Sequence, residues 1–133
     1  MDMETDGLLR QYLAASGERE VERLLIAIVE EFARPLVTRV VLSTLARDAA
    51  GVNDVEDVVA DTISDLLRRL RDTREGGAEP IHDLRGYTAM CAYHRCHEWL
   101  RARYPARNRL RNQLHYLCSH DSQLAVWRSS RGT

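Results

Sequence analysis

The chain has no lysine, a single phenylalanine, only three prolines and no long apolar run. Its apolar stretches, such as 24–29, are far shorter than the roughly 20 residues that a membrane helix needs. Acidic residues follow the first methionine, where a signal peptide carries basic ones. We therefore expect a cytoplasmic protein without a membrane segment, and the scarcity of proline and glycine predicts long helices with few breaks.

Three cysteines, Cys91, Cys96 and Cys118, are too few and too odd in number for a disulfide framework. They are typical of reduced thiols in a reducing compartment. The length of 133 residues, with 44% hydrophobic and 29% charged residues, favours one globular core. Because the sequence has neither strand alternation nor an internal repeat, it predicts a compact all-α domain of four to six helices.

Charge is distributed unevenly along the chain. Residues 1–66 contain fourteen acids and six arginines, a net charge of −8, and residues 67–133 contain six acids and thirteen arginines, a net charge of +7, which together give −1. This asymmetry fits two faces for two partners of opposite charge, and it equally fits solvated helix faces. All 19 basic residues are arginines, and such a chain-wide preference is more typical of coding bias than of 19 guanidinium sites.

Apolar residues recur at helical spacing and predict helices over 3–15, 18–47, 53–73, 83–104 and 106–118. Pro35 should kink the second helix or begin a new one. Asn53 and Asp83 are expected to cap the third and fourth helices. Residues on the expected core-facing lines are Val55, Val58, Val59, Thr62, Ile63, Leu66, Leu67 and Leu70 in the third helix, Leu84, Tyr87, Met90, Cys91, His94 and Glu98 in the fourth, and Leu124, Val126 and Trp127 near the end.

The third predicted helix changes charge along its length. It carries five acids and no base between Asp54 and Leu66, and then Arg68, Arg69 and Arg71 follow. The helix dipole favours acids only in the first turn, so the later carboxylates indicate either a surface for a basic partner or a solvated face. Four of the acids share one side of the helix, which we call the acidic ridge: Asp54, Asp57, Asp61 and Asp65.

A loop over 74–82, longer than most helix connections, precedes a helix with several arginines and aromatic residues. The acidic helix, this loop and the helix that follows together resemble a known family. The stretch 53–70, NDVEDVVADTISDLLRRL, and the stretch 84–101, LRGYTAMCAYHRCHEWLR, resemble region 2 of bacterial RNA polymerase sigma factors of the extracytoplasmic-function type. The resemblance covers 20–104, including a first core helix at 31–36, and leaves an N-terminal helix at 1–19 and a C-terminal helix and tail at 105–133.

The resemblance implies a transcription initiation module with two main partners and an anti-sigma regulator as a third. The acidic helix is implied to dock on the clamp helices of the largest RNA polymerase subunit through Asp54, Glu56, Asp57, Asp61, Thr62 and Asp65. The loop and the following helix are implied to bind the promoter −10 element. The implied DNA-binding residues are Arg68, Arg71, Arg74, Arg85, Tyr93, His94, Arg95, Trp99, Arg101 and Arg103, since guanidiniums neutralise phosphates and aromatic rings stack on bases.

The chain departs from the family pattern at Ala60, Asp61, His94 and Glu98, where Gln, Glu, Asn and Asp are usual. It also shows no second, helix-turn-helix domain for the −35 element, which fits either a fragment or a region-2-only relative. A second hypothesis is therefore a helical interaction regulator that keeps the polymerase-binding face and does not melt promoters.

Metal sites and catalysis have weaker sequence signals. Cys91, His94, Cys118 and His120 are of the types that bind zinc, but their spacing favours core positions. The acidic ridge has carboxylates in one line, without the opposing Glu-x-x-His pairs of di-metal bundles. There is no glycine-rich phosphate loop and no nucleophile motif. We expect no catalytic residue, no metal, no cofactor and no enzymatic activity.

Overall fold

The computed structural model describes residues 2–48 and 50–120, and all regular structure in these residues is helical. The helices are α1 (Asp2–Ala14), α2 (Glu18–Ala27), α3 (Arg34–Leu45), α4 (Val52–Arg74), α5 (Leu84–Arg103) and α6 (Pro105–His120). A π-helical turn, Ile28–Ala33, joins α2 to α3 without a break, which leaves five separate helices in the described chain. The predicted all-α class is confirmed, whereas Leu124, Val126 and Trp127 lie outside the described residues.

Pro35 stands in the first turn of α3, directly after the π-helical turn. Proline has no amide to donate, and its ring crowds the carbonyl four residues earlier. The π turn places Pro35 where the hydrogen-bond pattern already changes register. The helix thus continues through Pro35 with a change of hydrogen-bond register and does not end before a new one, and its core face runs from Leu24 and Ile28 to Val37 and Val41.

The chain divides into two compact units, Met1–His97 and Glu98–Thr133. In the first unit, α3 and α4 make the most extensive contact between described helices, and α1 packs on α2, the π turn and α4. The predicted apolar stripe of α4 is confirmed as a core face, although Val55 and Leu67 are only half-buried. Its buried members are Val58, Val59, Thr62, Ile63, Leu66 and Leu70.

The two predicted helix caps have different outcomes. Gly51, not Asn53, is the N-cap of α4, and Asn53 lies inside the helix. The Asp54 carboxylate reaches back to accept a hydrogen bond from the Gly51 amide at 2.9 Å, so the reciprocal bond of a capping box forms two residues earlier than predicted. Asp83 does cap α5, since its Oδ1 accepts a hydrogen bond from the Gly86 amide at 3.1 Å.

The end of α4 requires a glycine. Gly76 has a φ of 80°, in the left-handed region that residues with a Cβ avoid. The Gly77 amide donates to the Asp72 carbonyl at 2.8 Å, and the Gly76 amide donates to the Thr73 carbonyl at 3.2 Å. These two bonds form a Schellman motif, which terminates α4 and starts the loop towards α5.

The buried face of α5 differs from the predicted line. The buried residues are Leu84, Thr88, Ala92 and Cys96, at four-residue spacing. On the predicted line, Met90 is 58% exposed, His94 is exposed, and Tyr87, Cys91 and Glu98 are half-buried. Leu84 is buried as predicted, whereas the other three buried residues, Thr88, Ala92 and Cys96, are not on the predicted line. Because residues four apart share one side of a helix, these four positions form the inner face of α5.

Candidate functional site

The acidic ridge of α4 has two carboxylates on the open surface. Asp57 and Asp61 are exposed, and because they are four residues apart they lie on the same side of the helix. Asp54 is half-buried and binds the Gly51 amide, so it stabilises the helix N-terminus. The exposed ridge is therefore narrower than the sequence indicates, and it centres on Asp57 and Asp61.

Asp65, at the C-terminal end of the ridge, forms an ion pair with Arg95 of α5. Arg95 Nε donates to Asp65 Oδ2 at 2.6 Å, and Arg95 Nη2 donates to Asp65 Oδ1 at 2.7 Å. The hydrogen bonds from Arg95 lower the pKa of Asp65, although its partial burial opposes the shift. Arg68 Nη1 adds a weaker contact, 3.7 Å from Asp65 Oδ1. Asp65 and Arg95 are predicted on two different binding surfaces, and the fold joins them.

Two other residues of the predicted polymerase-binding set lie away from the exposed ridge. Thr62 is fully buried, and its hydroxyl donates to the Val58 carbonyl at 2.7 Å. Its assignment to a docking surface is wrong, because its place in the helix is on the core stripe. Glu56 is exposed, but at about 100° per residue it points roughly 200° away from Asp54 around the helix.

Arg74, predicted to bind DNA, is engaged inside the fold. Its guanidinium donates to the carbonyls of Tyr12 at 2.7 Å and Leu13 at 3.3 Å, and also to the carbonyl of Ala15. These carbonyls belong to the C-terminal end of α1, where the helix leaves its last acceptors without intrahelical donors. Arg74 therefore anchors α1 to the end of α4, and we remove it from the candidate DNA surface.

Arg69, which is not among the predicted site residues, ties the long loop to α4. Its Nη2 donates to the Glu79 carbonyl at 2.9 Å, and its guanidinium carbon lies 5.1 Å from the centre of the Tyr87 ring. The Thr73 hydroxyl makes a longer bond to the same Glu79 carbonyl, at 3.4 Å. The loop is thus held at its middle by side chains of the preceding helix. No spacing in the sequence could identify this contact, because it depends on the path of the loop.

A groove of about 430 Å³ runs between α4 and α5. Tyr87 on its wall has a raised pKa, mainly because of burial, and Cys91 beside it also has a pKa raised by burial. Both groups are therefore neutral near pH 7. The groove has negative charge from the carboxylate of Asp65 and positive charge from the guanidiniums of Arg68 and Arg69. Residues that line it include Asp65, Arg68, Arg69, Tyr87, Met90 and His94.

The other predicted DNA-binding residues of the first unit lie on the surface. Arg71, Arg85 and His94 are exposed, the Arg68 side chain is 72% exposed, and Tyr93 is 47% exposed. Arginines on open helix faces suit contacts to phosphates, and an exposed tyrosine ring suits stacking on a base. These exposed residues are compatible with a nucleic-acid surface. That surface excludes Arg74, which binds carbonyls of α1, and Arg95, which binds Asp65.

In the second unit, Trp99 and two arginines belong to the last turns of α5. The Arg103 guanidinium carbon lies 5.1 Å from the centre of the Trp99 ring, which is within cation–π range. Arg101 is exposed. Helix α6 follows with three leucines at helical spacing that are each at least half exposed: Leu110, Leu114 and Leu117.

The zinc hypothesis gains no geometric support. Within the described chain, no three His, Cys, Asp or Glu side chains are grouped as ligands of one metal ion. Cys91 is half-buried next to Tyr87, and the side chain of His120 lies outside the described residues.

Among the described helices, none is long and apolar enough to span a membrane.

Comparison of the chain with protein-family models, with curated proteins and with solved structures gives no significant match. Support for a function therefore comes from the residues of the chain and from the geometry of the site.

Proposed function

We propose that this chain is a sigma-factor-like region 2 module, which binds the RNA polymerase core through the acidic ridge and promoter DNA through the 75–83 loop and α5. The observation that carries the proposal is the exposed pair Asp57 and Asp61 on α4. The stretch of α4 from Asp54 to Leu66 contains no basic residue, and it lies within the segment that resembles the acidic helix of that family. The helical fold is compatible with this function.

The physical basis of polymerase docking is charge complementarity. Exposed carboxylates on a rigid helix face suit the arginines of a partner coiled coil, and they guide its approach over about one Debye length. Such contacts contribute more to the association rate and to specificity than to net affinity. We therefore expect binding to weaken steeply as salt is added.

The test is binding of the purified chain to a fragment that carries the clamp coiled coil of the largest RNA polymerase subunit. Asp61→Arg reverses a charge on the exposed ridge and should weaken binding at least about tenfold. Glu56→Arg makes the same charge change on the same helix but on another side, so it is the matched control and should have a much smaller effect. Circular dichroism and thermal melting establish that both variants fold.

The outcome separates docking from a solvated acidic face. Loss of affinity in Asp61→Arg with near wild-type affinity in Glu56→Arg supports the ridge. Equal losses in both variants would point to a general charge effect and count against a defined docking face. A folded wild-type chain that does not bind the coiled coil at about 50 mM salt would overturn the proposal.

The second candidate function is a helical regulator that binds the polymerase without melting promoters. The specific observation in its favour is that Arg74 and Arg95, both expected to contact DNA, have intramolecular partners. Single-stranded DNA with a −10-like sequence distinguishes the two candidates. Binding with a steep salt dependence supports the promoter-binding module, because phosphate contacts release counterions. Polymerase binding without DNA binding supports the regulator.

A further inference from the structure

The Asp65–Arg95 ion pair joins the two surfaces that the proposed function assigns to different partners. Asp65 is the last residue of the acidic ridge on α4, and Arg95 lies on α5 next to the exposed His94. Two nitrogens on one edge of the guanidinium donate to both carboxylate oxygens, at 2.6 and 2.7 Å. This bidentate arrangement fixes the orientation of Arg95 and uses the same edge that would bind a phosphate.

The pair is accessible enough to be exchanged. The Asp65 side chain is 22% exposed and the Arg95 side chain is 32% exposed, so solvent and a partner can reach both. Arg68, which is 72% exposed, already stands 3.7 Å from Asp65 as a second guanidinium. A carboxylate has about four acceptor positions, so an arginine that approaches along the ridge can replace Arg95.

We propose that the Asp65–Arg95 pair is a regulatory contact that withholds Arg95 from nucleic acid until a basic partner on the acidic ridge competes for Asp65. The inference rests on the proposed function and deepens it, since it assigns Asp65 a role other than direct docking. Docking on Asp57 and Asp61 brings partner arginines one turn from Asp65. Release of Arg95 then adds one phosphate contact to the DNA-binding face.

Thermodynamic linkage makes the coupling reciprocal. If a partner on the ridge raises the affinity of the chain for nucleic acid, nucleic acid raises the affinity for that partner by the same factor. Both effects depend on Arg95. An Arg95→Gln chain should therefore bind each partner without influence from the other.

The first experiment measures the affinity of the full chain for an oligothymidine of about 20 nucleotides, between about 50 and about 200 mM salt. Asp65→Asn keeps the shape of the side chain, removes its charge and should raise the affinity about fivefold. The slope of log affinity against log salt should steepen by about 0.7, as one phosphate contact is added. Asp61→Asn removes the same charge one turn away and is the matched control.

The Arg95→Gln background provides the decisive comparison. There, Asp65→Asn should change oligothymidine affinity no more than Asp61→Asn does, because no guanidinium remains to be released. Arg95→Gln alone should leave the slope of log affinity against log salt unchanged, since Arg95 makes no phosphate contact in the paired state. This single variant keeps the inference testable if Asp65→Asn does not fold.

Three results would overturn the inference in distinguishable ways. Equal effects of Asp65→Asn and Asp61→Asn, with measurable binding in all chains, would reject the regulatory contact and leave the proposed function standing. A shallower slope of log affinity against log salt in a folded Arg95→Gln chain would show that Arg95 already contacts a phosphate in the wild type. Absence of binding to both oligothymidine and the polymerase coiled coil would reject the proposed function and the regulatory contact together.

Discussion

Arg74 donates to the carbonyl of Tyr12 at 2.7 Å, and its guanidinium carbon lies 5.6 Å from the centre of the Tyr12 ring. The two residues are 62 positions apart in the chain, and Tyr12 is 1% exposed. The Arg74 side chain thus donates hydrogen bonds to the last carbonyls of α1 and also lies over the ring of the buried Tyr12. The contact fastens the N-terminal helix to the last turn of α4.

Substitution Arg74→Gln should loosen α1. The change removes charge-assisted hydrogen bonds to three carbonyls, so we expect the free energy of unfolding to fall by about 2 kcal/mol. The backbone amides of α1 should lose hydrogen-exchange protection before those of α3 and α4. Arg71→Gln, which removes an exposed arginine of the same helix, is the control and should change stability by less than about 0.5 kcal/mol. Unchanged protection of α1 would contradict the anchoring role.

The Asp65–Arg95 pair should make stability depend on pH in the acid range. Arg95 holds the pKa of Asp65 below its ordinary value, so the unfolded state binds this proton first as the pH falls. The stabilisation is therefore complete above the unfolded pKa and is lost as the pH falls through the folded pKa. Asp65→Asn should be less stable than the wild type at about pH 7, and the difference should shrink below about pH 4. Urea denaturation at several pH values measures it, and a pH-independent difference would contradict the pair.

Thr88 offers a stabilising substitution. Among the described residues, its hydroxyl is the one buried side-chain oxygen or nitrogen without a hydrogen-bond partner. Thr88→Val replaces the hydroxyl with a methyl group and should raise the free energy of unfolding by about 1 kcal/mol. Thr62→Val is the matched comparison on α4, where the hydroxyl binds the Val58 carbonyl, and it should lower stability by about 1 kcal/mol or less. Equal effects of the two substitutions on urea unfolding would contradict this assignment.

Cys96 should react only when the protein unfolds. Burial raises the pKa of its thiol to about 11, and the side chain is inaccessible, so the reactive thiolate is scarce and shielded near pH 8. A chain that retains Cys96 alone should react with an aromatic disulfide reagent at least about a hundredfold more slowly than the same chain in denaturant. A chain that retains Cys118 alone is the control, since that residue is half-buried. Rapid labelling of the folded Cys96 chain would contradict its burial.

The sequence pattern predicted helices well because amphipathic spacing depends on local geometry. The stripe from Val58 to Leu70 on α4 is buried as expected, and the Asp83 cap forms. The Asn53 cap was wrong by two residues, because Gly51 adopts the extended conformation of an N-cap and Asp54 supplies the reciprocal bond. Boundaries of this kind depend on a few backbone angles, which side-chain patterns constrain weakly.

The candidate site was harder to predict than the fold. Exposed Asp57 and Asp61 follow from helical spacing, but the pairing of Asp65 with Arg95 spans 30 residues. Arg74 and Arg69 are similar to the exposed arginines in sequence, yet they bind backbone carbonyls of α1 and of the loop. Charge identifies which residues are able to bind an anion, and it does not identify those that already bind carbonyls within the fold.

By itself, the sequence determined the all-α class, the core stripe of α4 and the exposed Asp57–Asp61 face, because each depends on residues within a few turns of one helix. Tertiary structure decided that α5 buries Thr88, Ala92 and Cys96, and that Arg74 and Arg95 have partners within the protein. Those outcomes depend on which helices meet and how closely they approach. Contacts between distant segments arise only when the packed helices bring them together, so the spacing of residues within one helix does not predict them.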